Sequence, residues 1–374
     1  MNEPDQTATH FQSGSSRGTL PKIAVACFSP NYGGMEQDAE WLARKIRDRY
    51  GQCLLIVRAN TWLERHASQQ GVDVRAVRFS GSFSLPGIIR LRRLLVEEGL
   101  ETLVFFGASE MKTLHFAVPY TIRNFVVRHG TPKSHPKKDV LHRLIWSRVT
   151  AHWCISDYIL ENAKAIYPIG DAPLFKSYIA LGGKADLLPE PLPLSASKQF
   201  RLVHVGRLEE AKGQVDLIKA VAQLRSRGIP AIVDFYGQGS QRKSLERLAK
   251  DLSVTDYVTF HGHVEAPYQY LGQYHAFVYP SRTDGFGNSF VEALCSGIKC
   301  FCYHNTCFPE FRELGFDYIM SESLNHSMLA KELEAFWRSC DGQPIENRTK
   351  ARQIFSVENE LNAAFPFLCS EADV

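Results

Sequence analysis

No stretch of this 374-residue chain comes near the roughly 20 consecutive apolar residues that a membrane-crossing helix needs, so no transmembrane span is expected. Its beginning lacks the basic-then-apolar order of a secretory signal. Residues 1–18 are polar and rich in Ser and Gly, which predicts an unstructured lead on a cytoplasmic protein. No Cys-x2-Cys pair occurs among the nine cysteines. Their odd number and their scatter through apolar runs predict reduced, buried thiols rather than a disulfide framework. Cys295, Cys300, Cys302 and Cys307, with His304 nearby, come nearest to a metal-ligand group. Cys300 and Cys302, however, fall in a strand-like run at 299–303, where buried thiols are the expectation. The first glycine-rich turn lacks the dinucleotide-binding spacing, and no acidic residue ends the run 53–58 to hold an adenosine ribose, which argues against NAD. A large net charge is missing too. The formal value is +3, and the basic stretch lacks the interleaved aromatics of a nucleic-acid module.

What is present is strand–helix alternation in two series. Residues 22–28 form an apolar, β-rich run and 29–34 a turn. Residues 35–50 predict a helix with Ala39, Leu42, Ala43 and Ile46 on one face. Further strands are expected at 53–58, 72–79, 102–106 and 124–127, and an amphipathic helix at 84–98 with Arg90, Arg92 and Arg93 on its polar side. Ser156 is expected to N-cap a helix rather than to serve as a catalytic group. The Pro/Leu/Ser-rich segment 187–196 reads as an extended linker. Beyond it come strands at 200–205, 232–236 and 258–262, and helices at 215–224, 267–274, 329–340 and 357–365. The organisation expected is α/β with two doubly wound, Rossmann-like domains. A lead at 1–18 is followed by a first domain at 19–190, a linker at 191–197 and a second domain at 198–345. The segment 346–374 is a helix packing back on the first domain.

Charge is uneven. Residues 1–187 hold 24 Lys/Arg against 17 Asp/Glu, and the remainder 19 against 23. Between 123 and 148, Arg123, Arg128, Lys133, Lys137, Lys138, Arg143 and Arg148 face a single acid, Asp139. Such a patch suits an anionic membrane surface or an anionic acceptor, or is a solvated basic face. The sequence leaves both open.

The most informative stretch is 279–292, Tyr-Pro-Ser-Arg-Thr-Asp-Gly-Phe-Gly-Asn-Ser-Phe-Val-Glu. A buried strand is stopped by Pro280, a loop follows from Asp284 to Asn288, and a helix begins. Gly285 and Gly287 allow close backbone approach to a ligand, and the leading helix amides face it with the positive end of the dipole behind them. Carboxylates that accept from hydroxyls, beside amides that donate to phosphates, suit a polyhydroxylated anion. The stretch resembles the Glu-x7-Glu motif of glycosyltransferase family 4 (group 1 glycosyl transferases), retaining enzymes of the GT-B fold, with Asp284 in place of the usual first Glu and Glu292 as the second.

Four other elements carry the resemblance. Gly206-Arg207 and Lys212-Gly213 match the family's Gly-Arg and Lys-Gly pairs, and an Arg fork with a compact Lys charge can converge on a diphosphate. His263-Val264 matches a loop that holds the nucleobase through backbone contacts. Gly33-Gly34, before Met35 and Glu36, resembles the loop that lies against the donor diphosphate. His129, just past a strand end and followed by Gly130, stands where the family borders the reacting sugar; Asn305 to Phe308 replaces the usual Gly-Gly turn before Pro309-Glu310. The resemblance implies that Arg207 and Lys212 hold the diphosphate and that Glu292 accepts from the ribose. Asp284 and the amides of Gly285, Phe286, Gly287 and Asn288 would orient the sugar, with His129 closing the site. It implies front-face substitution with retention, no metal, and no cofactor beyond a UDP- or GDP-type sugar as co-substrate. The acceptor expected is a saccharide or glycolipid in lipopolysaccharide or polysaccharide synthesis, with peripheral membrane contact through the basic half. Competing expectations are a GT-B sugar-nucleotide epimerase, which needs acid/base carboxylates beside the sugar, and a non-catalytic sugar-nucleotide-binding or partner subunit.

Overall fold

The computed structural model describes residues 21–31, 33–182, 184–192, 198–322, 325–339 and 347–369. The expected lead at 1–18 and most of the expected linker, 193–197, lie outside the described residues, as does the boundary at 345–346.

Seven parallel strands form the first sheet: β1 (Ile23–Cys27), β2 (Leu54–Arg58), β3 (Asp73–Val77), β4 (Thr102–Phe106), β5 (Asn124–His129), β6 (Ala151–Cys154) and β7 (Leu174–Lys176). Their spatial order is β3-β2-β1-β4-β5-β6-β7, a doubly wound arrangement. Interleaved are α1 (Gly34–Tyr50), α2 (Trp62–Gln69), α3 (Leu85–Glu97), α4 (Met111–Ala117), α5 (Val140–Trp146), α6 (Asp157–Ile166) and the short α7 (Lys184–Leu187). Strands such as β1 and β4 are buried throughout because helices cover both faces, which is why they read as unbroken apolar runs.

The second sheet holds six parallel strands: β8 (Phe200–Val205), β9 (Ala231–Tyr236), β10 (Val258–Gly262), β11 (Ala276–Tyr279), β12 (Lys299–Tyr303) and β13 (Ile319–Ser321), in the order β10-β9-β8-β11-β12-β13. Its helices are α8 (Gln214–Ser226), α9 (Arg242–Asp251), α10 (Asn288–Ser296), α11 (Phe308–Glu313), α12 (His326–Ser339) and α13 (Asn347–Ile354). The last helix, α14 (Val357–Leu368), returns to the first sheet. Its Leu361, Ala364 and Leu368 pack with Val104, Phe106 and Val126, and the Thr102 hydroxyl donates to the Leu368 carbonyl at 2.7 Å.

Alternate residues of the first sheet feed two cores. One faces α1 and α14. The other runs without a break from β1, β4 and β5 into Phe286, Phe290 and Phe308 of the second domain. Side-chain caps begin several helices, with Ser84 accepting from the Gly87 amide, Asp139 from His142, Ser156 from Ile159 and Ser356 from Asn359. The eight described cysteines are buried and none is joined in a disulfide; burial pushes the Cys295, Cys300, Cys302 and Cys307 thiols well up, so they stay protonated.

Two expectations need correcting. Arg128 is not part of an exposed basic face. β5 continues through it to His129, and its side chain is 1% exposed between Asp38 and Glu360, with the Trp153 ring centroid at 4.2 Å. Nor is the outer face of α3 simply polar, because Leu85, Ile89 and Val96 are exposed beside Arg92 and Arg93 while Leu91 and Leu95 are buried.

Candidate active site

β8 and β11 lie side by side in the second sheet, and the loops at their C-terminal ends carry the predicted groups. The turn after β8 holds Arg207, Lys212 and Gly213. Gly213 has φ +72, and a Cβ on it would lie 1.9 Å from the Pro280 carbonyl oxygen, so only glycine lets this turn press against the loop after β11. The Ser281 hydroxyl and the Arg282 amide both donate to the Ala211 carbonyl and lock the two loops together.

That contact brings Lys212 and Asp284 into one ion pair. Asp284 Oδ2 accepts from Lys212 Nζ at 2.5 Å and from the Tyr279 hydroxyl at 2.8 Å, while Oδ1 accepts from the Gly287 amide at 3.1 Å. Burial opposes both charges, but mutual attraction and these hydrogen bonds prevail. Asp284 is held below the usual carboxylate range and Lys212 above the usual amine range. Both oxygens of Asp284 are therefore engaged by protein donors, so its first effect is to fix Lys212 and the Gly287 turn that opens α10. Phe286 is 2% exposed between Phe311 and Phe355, leaving its backbone as the part that can face a ligand. Asn288 starts α10, and the Ser289 hydroxyl donates to the Val205 carbonyl, tying the helix start to the end of β8.

Arg207 is exposed, and among the described residues no carboxylate pairs with it. Beneath it, His204 Nδ1 donates to the Val278 carbonyl at 2.9 Å and Nε2 accepts from the Gln214 side chain at 3.1 Å. Burial lowers His204 to about 4, which keeps it neutral below the loop. Glu292 lies a turn along α10 and is already occupied by a first-domain residue. Lys184 Nζ sits 2.5 Å from Glu292 Oε1, 3.4 Å from the Trp41 ring centroid and 5.0 Å from that of Tyr268. His263 is exposed just past Gly262, where β10 shifts register, and Val264 packs on the shared core.

Four contacts join the domains around this loop. The Ser156 hydroxyl, besides capping α6, donates to the Gly285 carbonyl at 2.6 Å. A Cβ on Gly285 would lie 2.2 Å from the Gly130 carbonyl oxygen, and one on Gly34 would come 3.4 Å from the Asn288 side-chain nitrogen. Glu310 Oε2 accepts from the Asp157 amide at 3.0 Å and the Tyr158 amide at 3.4 Å, an acidic group at the start of α6 supplied by the other domain. The Gly33-Gly34 turn and the Asp284–Asn288 loop thus face one another. His129 takes a different place. Its ring is 6% exposed, stacks on Trp146 and has Nε2 2.9 Å from His152 Nδ1. Burial lowers His129 well below its ordinary range and His152 to about 4. What the first domain presents to Gly285 here is the backbone of Gly130.

Comparison with known proteins agrees with this geometry. Residues 193–351 match the family model for glycosyl transferases group 1. The chain is 26% identical over 322 residues to the GDP-mannose-dependent alpha-(1-6)-phosphatidylinositol monomannoside mannosyltransferase of Mycobacterium tuberculosis, covering 76% of this chain and 80% of that protein. Its fold matches that of HepE from Anabaena in complex with UDP and glucose, with a TM-score of 0.77, 17% identity and coverage of 93% and 99% of the two chains. The chain is a GT-B glycosyltransferase carrying a group 1 glycosyl transferase domain. The lipopolysaccharide outer core galactosyltransferase WaaB shares the fold of this glycosyltransferase at a TM-score of 0.69 and 17% identity, over 92% and 99% of the chains.

Sequence reasoning missed three groups of the glycosyltransferase site. Tyr279 lay inside the quoted stretch as a strand residue, and its role as a donor to Asp284 follows from its place at the strand end. Glu310 and Lys184 act across 153 and 108 residues of chain; Glu310 was marked only as part of the Pro309-Glu310 pair, without its role at α6, and no local pattern marks Lys184. Among the described residues no three His, Cys, Asp or Glu side chains gather into a metal-binding group.

Proposed function

We propose that this glycosyltransferase moves a hexose-type sugar from a nucleoside-diphosphate sugar to a hydroxyl of a saccharide or glycolipid acceptor, with retention at the anomeric carbon and without a metal. The observation that carries the reading is the meeting of Lys212, Asp284 and the α10 start in one loop pair facing Gly34. Lys212 is neutralised by Asp284, so Arg207 is the cation left to meet a diphosphate, in a fork geometry that suits phosphate oxygens. The leading amides of α10 add donors where leaving-group charge develops. Glu292 would accept from the ribose hydroxyls once Lys184 moves aside. These cations and amides supply the electrostatic stabilisation that a metal gives elsewhere, and no cofactor is needed beyond the donor. The substrate oxygen on the leaving phosphate would take the acceptor's proton on the same face.

Relatives support the choice of donors and acceptor. One is named for GDP-mannose and a phosphatidylinositol mannoside, another is seen with UDP and glucose, and a third is named for the lipopolysaccharide core. A lipid-borne saccharide of the cell surface is the acceptor class proposed, reached from the cytoplasmic side through peripheral contact with the membrane. The test is a panel of UDP-, GDP- and ADP-sugars in the presence of a chelator, scored by thermal shift and by release of nucleoside diphosphate. One donor should stabilise the protein and be turned over slowly. Binding with no turnover beside saccharide and glycolipid acceptors would instead support a non-catalytic sugar-nucleotide-binding subunit.

A further inference from the structure

Exposed large apolar side chains are distributed very unevenly over this molecule. Of the twelve among the described residues, nine fall between Phe83 and Leu144, while the second sheet's domain shows only Leu252 and Tyr270, each less than two-fifths exposed. The nine sit in or beside α3, α4 and α5, which pack in that order along one side of the first domain. Ile89 is 69% exposed on α3, Val140 82% at the start of α5, and Tyr120 89% after α4. Phe116 bridges toward α3 through an edge contact with Phe83, centroids 6.2 Å apart. So many exposed apolar side chains on three neighbouring helices are uncommon on a free monomer.

Its charge says what covers it. Residues 83–148 contain eleven Lys/Arg against five Asp/Glu, and Arg128 is the basic residue spent on the buried network. Lys112 and Lys138 are exposed among the apolar groups, and the Arg148 guanidinium lies 4.4 Å from the Tyr120 ring centroid, which holds a cation and an amphipathic ring together at the edge. Aliphatic and aromatic tips rimmed by cations suit the boundary between headgroups and acyl chains of an anionic bilayer. Along the chain, α5 begins ten residues after Gly130, the residue past the β5 end that touches Gly285 across the cleft.

We infer that the α3–α4–α5 face is a docking surface for an anionic phospholipid bilayer, inserting the tips of residues such as Ile89, Phe116 and Val140 while Lys112 and Lys138 meet headgroups. The inference deepens the proposed function and rests on it in one respect, that the surface would bring a lipid-borne acceptor to the cleft. Docking itself needs no donor and is tested without one.

The full chain is sedimented with phosphatidylcholine vesicles and with vesicles also containing phosphatidylglycerol, at low and high salt. Binding to the anionic vesicles, released by salt, is expected. Ile89→Ser with Val140→Ser should lower the partition coefficient by roughly tenfold for each side chain. Lys112→Gln with Lys138→Gln should lower it about fivefold for each charge. Leu252→Ser, on the other domain, should leave it unchanged. The inference is overturned if the wild-type chain stays in the supernatant or if Leu252→Ser has the same effect. It also falls if the apolar pair leaves vesicle binding intact but dissolves a dimer in sedimentation velocity, which would make the face a contact between copies. Donor binding by thermal shift without vesicles is read in parallel. Its failure beside intact vesicle binding would count against the proposed function and not against docking.

Discussion

Arg128 and Lys212 are both shielded cations held by carboxylates, but their surroundings differ in kind. Around Arg128, Asp38 gives two oxygens at 2.8 and 3.1 Å and Glu360 a third at 2.7 Å; Glu360 also takes Lys45 and the Ala180 amide. Four charges of balanced sign, from α1, β5 and α14, close on themselves at no more than 9% side-chain exposure. Around Lys212 the pairing is equally tight, yet Lys212 and Asp284 keep 15% and 16% side-chain exposure, and Arg207, which no carboxylate pairs among the described residues, shares their loop. A closed set of charges holds elements together, whereas a set with one open member at a loop edge can take a ligand. Perturbed ionisation alone does not tell the two apart.

The contrast can be broken most forcefully at Glu360. Glu360→Ala leaves Arg128 and Lys45 buried with too little countercharge and should cost about 3–5 kcal/mol in chemical denaturation, with donor affinity per folded molecule unchanged. Loss of less than about 1 kcal/mol would mean that the network contributes little to holding α14. Arg207→Ala should do the reverse, lowering kcat/KM for the donor about a hundredfold in a product-release assay while leaving the melting temperature in place.

The neutral histidines sharpen the comparison by pH. His152 and His204, one per domain, are each lowered to about 4 by burial. The unfolded chain therefore takes up protons first as pH falls from about 6.5, so stability is full above that value and is lost toward about 4. Between about pH 7 and about pH 5 each should remove about 2 kcal/mol, and His204→Gln should flatten its share of the decline in denaturation midpoints. The smallest effect is expected at Lys184. Lys184→Met frees Glu292 and should tighten nucleoside-diphosphate binding several-fold by calorimetry, roughly the worth of one partly exposed ion pair. Weaker binding would show instead that Lys184 itself contacts the nucleotide.

Both sheets, and the loops that carry Arg207, Lys212 and Asp284, were legible because their signals are local. Buried parallel strands read as apolar runs, and one turn or one loop holds each motif. Lys212 and Asp284 are 72 residues apart, but each sits in a glycine-marked turn at the end of a neighbouring strand, so the fold class already brings them close. Arg128 was misread because its segment is rich in bases, and its burial is decided by a carboxylate 232 residues later. The exposed stripe of α3 was hidden for another reason. Periodicity shows that a helix has an apolar face but does not count how many it has, and Leu85, Ile89 and Val96 form a second one. Lys184 had no sequence signal, and the Pro309-Glu310 pair gave none of the cross-domain role of Glu310, since the partners of both belong to the opposite domain.

The return of α14 to the first sheet has a consequence for biosynthesis. A ribosome delivers residues 21–182 first, but the helix that neutralises Arg128 and Lys45 comes only after the whole second sheet has emerged. Through that interval the first domain holds Arg128 and Lys45 with Asp38 but without Glu360 as countercharge, and its apolar strip over Val104 and Val126 is uncovered. The second domain, made later, can reach its native state earlier, so the order of maturation runs against the order of translation.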